Sequence, residues 1–221
     1  MKKIRLGIIG LLFFQISYGQ ENAFQSEWAM GVNVGVTLSN VRFSPIRSQD
    51  LLRQESGGIT IRYISEKNFG IQAELNYSLR GWKEKTDTIN VNTYSRSLSY
   101  LELPVTTHLY FNLGEKSRLI FNIGPQIGYN IGEKILKSEL QEETDPDLLN
   151  RYYNQKIQRI FDYGITGGLG FEFRTGIGNF ILDGRYYFGL SDIFSNKKSD
   201  LFHASSNQVI GVKLTYLFNF R

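Results

Sequence analysis

Residues 69–80 read FGIQAELNYSLR, and every second side chain in this stretch is apolar. One set is Phe69, Ile71, Ala73, Leu75, Tyr77 and Leu79, and the other set consists of Gly, Gln, Glu, Asn, Ser and Arg. A period of two predicts a β-strand whose two faces meet different surroundings. The apolar face must be covered either by a protein core or by lipid. The rest of the sequence distinguishes between these two possibilities.

The same alternation recurs along the chain, and we interpret it as eight strands: 28–39, 58–65, 69–80, 98–112, 119–131, 161–174, 180–190 and 209–220. Most of these segments reach about 11 residues, the length of a membrane-crossing strand, whereas ordinary strands average about 5–6 residues. Short polar turns at 65–68, 112–117 and 175–179 alternate with long polar stretches at 40–57, 81–97, 132–160 and 191–207. Short turns at one end and long loops at the other are typical of outer-membrane barrels.

Two folds fit eight amphipathic strands. A soluble sandwich or lipocalin-like barrel turns its apolar face inward, whereas a membrane barrel turns it outward to lipid. The polar faces here are dominated by Gly, Asn, Thr, Ser and Gln rather than by the Lys and Glu of a water-facing surface. We therefore predict an all-β fold, an eight-stranded antiparallel up-and-down transmembrane β-barrel of the outer-membrane type with a filled polar lumen.

The N-terminal segment has the features of a secretory signal peptide. Lys2, Lys3 and Arg5 precede an apolar run at 6–16, and the small residues Ser17 and Gly19 follow. We expect three parts: a cleaved signal peptide at 1–19, a short segment at 20–27 and the barrel at 28–221. The alternative is a buried N-terminal helix. No later stretch has the roughly 18–20 consecutive apolar residues of a transmembrane helix.

Composition excludes several classes of function. The chain has no Cys, so it has no disulfide framework, thiolate metal site or cysteine nucleophile. Its formal charge of +4 includes three basic residues of the signal segment, so it gives no reason to expect a nucleic-acid partner. We expect no cofactor and no metal.

Charged residues on the polar faces are the candidate site. The interior of an eight-stranded barrel is just wide enough for its own side chains, and buried charges must be paired. We expect a structural ion-pair network in the lumen, formed by Arg62, Glu74, Glu102, His108, Asp162, Glu172, Asp183, Arg185 and Lys213. The alternative interpretation is a narrow ion or proton path. A general porin needs about 16–18 strands and is excluded by the length of the chain.

Other patterns carry weaker predictions. His203 lies near Asp200, Ser205 and Ser206, but such a group is common by chance in a loop, and we expect no catalytic residue. The acidic stretch 142–147 lacks the spacing of a calcium loop. Exposed aromatic residues are plausible partner contacts, and the candidates are Trp82, Tyr152 and Tyr153. Trp82 is alternatively an anchor at the bilayer interface.

Pro104 and Pro125 fall inside predicted strands, although proline cannot donate to a ladder of hydrogen bonds. We expect a local bulge or a strand end above the bilayer at each of them.

Several segments resemble a known family. SYLELPVTTHLYFN at 99–112, FNIGPQIGYNIG at 121–132, DYGITGGLGFEF at 162–173 and LDGRYYFGLSDI at 182–193 are similar to the strands of the PorT-like outer-membrane β-barrels of Bacteroidota. The resemblance implies an integral protein of the outer membrane of a Gram-negative bacterium. The founding member of the family acts in type IX secretion, which implies an accessory role in protein export as one alternative.

We expect a non-enzymatic outer-membrane protein with a structural or accessory role, whose long loops bind partners. The expected partners are outer-membrane lipid or lipopolysaccharide, and other outer-membrane or secretion proteins. The alternatives are the accessory role in protein export and a narrow small-solute channel.

Overall fold

The computed structural model describes residues 24–84, 94–137, 155–195 and 202–220. The expected signal peptide therefore lies outside the described residues. Within those ranges the chain forms nine strands: β1 (Glu27–Ser44), β2 (Gln49–Asp50), β3 (Leu52–Glu66), β4 (Phe69–Glu84), β5 (Tyr94–Asn112), β6 (Ser117–Lys137), β7 (Phe161–Thr175), β8 (Gly178–Gly189) and β9 (Ala204–Phe220). No helix among these residues is long and apolar enough to cross a membrane.

The eight long strands close into a ring. Each pairs antiparallel with the next long strand along the chain, and β1 pairs with β9, so the ring has no open edge. The two-residue β2 adds to β4 outside this ring. The predicted antiparallel up-and-down barrel is thus confirmed, with every predicted strand present.

The stagger of the ring sets the tilt of its strands. We follow the paired residues from each strand to the next, once around the ring. This path starts at Trp28 on β1 and returns to β1 at Leu38, ten residues further along the strand. For eight strands this stagger corresponds to a tilt of about 40° from the barrel axis, within the usual range for membrane barrels.

The two ends of the barrel differ. The turn end carries the tight connections after β3, β5 and β7, together with Glu27 and Phe220 at the outer ends of β1 and β9. At the opposite end, the loop end, the strands continue well into the stretches that the sequence pattern assigned to loops. For example, β1 runs to Ser44 instead of 39, and β6 runs to Lys137 instead of 131.

The apolar faces point outward. Leu169 on β7 is 61% exposed and Val212 on β9 is 57% exposed, whereas their polar neighbours Gly170 and Lys213 are buried. Aromatic side chains lie toward the ends of this apolar wall, as Trp28 stacking on Tyr63 and Tyr129 against Phe161 illustrate. The wall therefore has the inverted polarity that a bilayer requires.

The expectation of a bulge or strand end at each proline is wrong. Pro104 and Pro125 lie in the middle of β5 and β6, and the register is the same on both sides of each. Instead, paired positions are missing from the ladders: β4–β5 lacks pairs between Ala73 and Asn76, and β5–β6 lacks pairs between Pro104 and Thr107. Each proline lacks the backbone N–H that would donate one ladder hydrogen bond. The closed wall accommodates the missing bond without a register shift at the proline.

Candidate functional site: the charged lumen and the aromatic mouth

Charged side chains fill the lumen in three layers. The turn-side layer centres on Glu172, which accepts from Arg62 Nη2 at 2.6 Å and lies 3.8 Å from Arg118 Nη1. Arg118 also donates to Asn112 Oδ1 at 3.1 Å. His108 belongs to the same region of the lumen, and its Nδ1 lies 2.8 Å from Asn122 Oδ1.

The central layer centres on the Glu74 carboxylate. Lys213 Nζ and Arg185 Nη2 each lie 2.7 Å from one of its oxygens. Gln72 Nε2 donates at 2.7 Å and Asn76 Nδ2 at 2.9 Å, so both oxygens have several donors. Arg185 is held from its other side by Asp183.

The loop-side layer centres on the guanidinium of Arg80, which is fully buried. Its Nη2 lies 2.7 Å from Glu102 Oε1, and its Nη1 donates to Asp162 Oδ2 at 2.6 Å. The rings of Tyr100 and Tyr187 lie 4.2 and 4.7 Å from its central carbon, close enough for cation–π attraction.

The charges of the three layers balance along the axis. The turn-side layer has two guanidiniums against one carboxylate, the central layer is neutral, and the loop-side layer has one guanidinium against two carboxylates. A buried ion pair must recover its lost hydration through good geometry and additional hydrogen bonds. Each carboxylate named meets part of this requirement, because it has an arginine or lysine within hydrogen-bonding distance.

The nine expected lumen residues all lie on the inner face, and eight of them are joined by ion pairs within these layers. His108 has a hydrogen bond to an amide instead. The sequence reasoning omitted Arg80 and Arg118, which bridge their layers. Arg80 belongs to the polar set of residues 69–80, so the alternation itself could have found it.

An aromatic core closes the barrel at the loop end. It consists of Val41, Phe43, Trp82, Tyr94, Leu98, Tyr100, Ile193, Phe194 and Phe202. We call this group the mouth core. Arg96 lies between the rings of Trp82 and Phe194, at 5.6 and 5.5 Å, and pairs with Glu133. Burial raises the pKa of the Tyr94 hydroxyl, which lies above the apolar wall, and the nearby Arg96 lowers it by less.

The mouth core corrects one expectation. Trp82 is only 2% exposed, so it is neither a free partner contact nor an anchor in the bilayer. Its ring packs edge-on against Phe43 and Phe194. Tyr152 and Tyr153, and the acidic stretch 142–147, lie outside the described residues.

The segment after β8 folds back into the mouth. Ser191 bonds to Asp162 of the loop-side layer, and Asp192 Oδ1 accepts from the Ser205 amide at 2.6 Å. Ser205 Oγ in turn accepts from the Phe194 amide at 3.0 Å. Ser205 is buried and its bonds hold the segment in place, whereas His203 is exposed.

A closed eight-stranded ring with an apolar outer wall and a charged, filled lumen defines a class of protein, the integral outer-membrane β-barrel. The sequence matches the family model described as outer membrane protein beta-barrel domain over residues 18–195. The chain belongs to this family, and the protein is an integral protein of the outer membrane. Among the described residues, no group of three His, Asp or Glu side chains is placed to hold a metal ion.

Solved structures of other outer-membrane proteins are similar to this chain. OprG of Pseudomonas aeruginosa is 12% identical with a TM-score of 0.50, and the match covers 87% of this chain and 96% of that one. Ail of Yersinia pestis, solved with the heparin analogue sucrose octasulfate, is 16% identical with a TM-score of 0.41, covering 87% and 99%. Neisserial surface protein A is 8% identical with a TM-score of 0.46, covering 89% and 100%. No curated protein matches the sequence.

Proposed function

We propose that this protein is a non-enzymatic barrel that presents a folded platform at its loop end to partners outside the cell. The observation that carries the proposal is the mouth core, which covers the lumen and joins the ends of β1, β4 and β5 to the segments after β8 and before β9. A barrel specialised for transport would leave its mouth open. Here the mouth is packed with buried aromatic and aliphatic side chains and the lumen is occupied by ion pairs, so binding at the loop end is the better-supported role.

The partners follow from the surroundings of such a platform. Lipopolysaccharide surrounds the loop end of a barrel whose long loops face outward, and other outer-membrane proteins lie alongside it. Exposed charges of both signs at this end, among them Arg42, Arg53, Glu55 and Lys134, suit polar contacts at the rim of an interface.

The test is an in-cell cross-link and pull-down of the tagged protein, followed by identification of the captured molecules. Phe202→Ala disturbs the mouth core, whereas Leu169→Ala removes a side chain from the lipid-facing wall and is the matched control. We expect a defined partner that Leu169→Ala retains and Phe202→Ala loses. Capture of only lipopolysaccharide and abundant outer-membrane proteins, equally in both variants, would contradict the platform.

A second candidate is an accessory role in protein export. It rests on the resemblance of the β5, β6, β7 and β8 segments to PorT-like barrels of Bacteroidota. A deletion strain should then lose secreted proteins from the medium, and secretion components should be captured at fixed stoichiometry. An unchanged set of secreted proteins would remove this candidate and leave the platform untouched.

Residues 1–19 serve in this proposal as a cleaved signal peptide, because a barrel must first leave the cytoplasm. Mass spectrometry of the N-terminal peptide of the purified protein should then begin at Gln20. A chain that retains Lys2 and Lys3 would contradict cleavage.

A further inference from the structure

A small cavity lies in the lumen between the central and loop-side layers. Its volume is about 60 Å³, and side chains from all eight long strands contribute to its lining, among them Thr37, Ser56, Ser78, Glu102, Thr166 and Lys213. At about 10–15 Å³ for each water, this space holds roughly four water molecules. We call it the chamber.

The ion pairs that border the chamber face into it. The side chains of Glu102, Arg185 and Lys213 are 11%, 12% and 10% exposed, although all three lie deep in the barrel. Arg80, Asp162 and Glu74 in the same two layers are 0–4% exposed. The free space is therefore polar and charged on both sides, which is the kind of cavity that water occupies.

The axial routes to the chamber are closed. The loop-side layer blocks the way up, because Arg80 is enclosed by two carboxylates and two tyrosine rings. The central and turn-side layers block the way down. An occupant that exchanges with the surroundings must enter through the wall.

The ladder between β3 and β4 ends beside the chamber, where the two strands separate. The last pair of the β3–β4 ladder is Ser56 with Ser78, although β3 continues along β1 as far as Leu52. Above that pair, side chains replace the backbone ladder: Thr37 Oγ1 donates to the Leu79 carbonyl at 3.3 Å, and the Gly81 amide donates to Ser39 Oγ at 2.9 Å.

Three hydroxyl side chains stand where the seam meets the chamber. Thr37, Ser56 and Ser78 line the chamber, and they come from β1 and from the two strands, β3 and β4, that separate there. The outer face of β3 changes at this level from Ile59 and Ile61 to Glu55 and Arg53, which places the seam at the edge of the apolar wall. Polar solutes at the bilayer surface can therefore reach the seam without crossing lipid.

We propose that the chamber is a hydrated site for small polar molecules, reached from the side through the seam between β1, β3 and β4. The occupants are water and polar solutes of about four non-hydrogen atoms, because the volume admits nothing larger. The chamber does not depend on the platform proposed at the loop end, so a result that contradicts one proposal leaves the other standing.

The absence of cysteine from the sequence allows a direct test. Thr166→Cys places a thiol on the far wall of the chamber, and Thr215→Cys places one in the lumen away from it. Both variants are folded in lipid vesicles and treated with acrylonitrile, a neutral polar reagent of four heavy atoms that adds to thiols without a leaving group. Intact-protein mass gives the labelling rate, and electrophoresis without boiling verifies the folded barrel.

We expect Thr166→Cys to be labelled at least tenfold faster than Thr215→Cys. Adding Ser56→Trp, which fills the seam, should slow labelling at Thr166→Cys about tenfold. Adding Glu55→Trp, one residue away on the outer face, should leave the rate unchanged. Equal rates at the two cysteines would overturn the hydrated chamber, and a rate that Ser56→Trp does not lower would overturn entry through the seam.

Discussion

At the scale of single residues, Arg80 determines whether the loop-side layer exists. It is the cation nearest to both Glu102 and Asp162 in this layer, and these carboxylates come from β5 and β7, which are separated in the ring by one strand. The alternation of residues 69–80 places it on the polar face, but its partners come from 22 and 82 residues further along the chain. Sequence reasoning can therefore predict that Arg80 is buried with partners, and cannot predict which partners.

Arg80→Leu should lower the free energy of unfolding by about 3–5 kcal/mol, because it leaves two buried carboxylates without their cation. The measurement is urea unfolding of the protein in lipid vesicles. Arg53→Leu, an exposed arginine of β3, is the matched control and should change the free energy by no more than about 0.5 kcal/mol.

A triple variant distinguishes charge from packing. Arg80→Leu with Glu102→Gln and Asp162→Asn removes the whole charged group, so most of the lost stability should return. If the triple variant is as unstable as Arg80→Leu alone, the shape of the side chain rather than its charge holds the layer.

At the scale of strands, the apolar period predicted every long strand and the face that each turns outward. The strand ends could not be predicted, because above the apolar wall the outward side chains become polar, as at Arg42 and Glu55, and the inward ones become apolar, as at Val41 and Phe43. Trp82 illustrates this: it lies two residues beyond the predicted strand end, and its burial depends on Phe43 and Phe194 from distant parts of the chain. The alternation of apolar residues likewise gives no indication that β3 separates from β4.

The two tryptophans should report opposite surroundings. Trp28 is 52% exposed on the outer wall, whereas Trp82 is enclosed in the mouth core. In vesicles of brominated lipid, the variant Trp82→Phe should therefore lose most of its fluorescence, and Trp28→Phe should keep it. Quenching of the Trp82 emission to the same extent would mean that this side chain faces lipid.

The outward face of β7 gives a test of the inverted polarity. Leu169→Arg should cost about 2–4 kcal/mol of unfolding free energy in lipid vesicles, because its position lies near the middle of the apolar wall. Ile177→Arg lies in the turn after β7 and should cost about 0–1 kcal/mol. Equal small effects at both positions would be the result expected of a wall that meets water.

At the scale of the whole molecule, the family match, the closed ring and the outward apolar wall make this an outer-membrane barrel, and the three charged layers make it a filled one. These conclusions hold together because eight strands enclose just enough space for one set of side chains. The lumen therefore needs its charges paired, and the proposed function places partner binding at the loop end.

The central claim is that no continuous path runs through the lumen, and ion conductance in planar lipid bilayers tests it most directly. The purified protein should show no current steps at any applied voltage, because each of the three layers blocks the axis. Reproducible single-channel steps from the wild-type protein would contradict the account and favour a narrow solute channel instead.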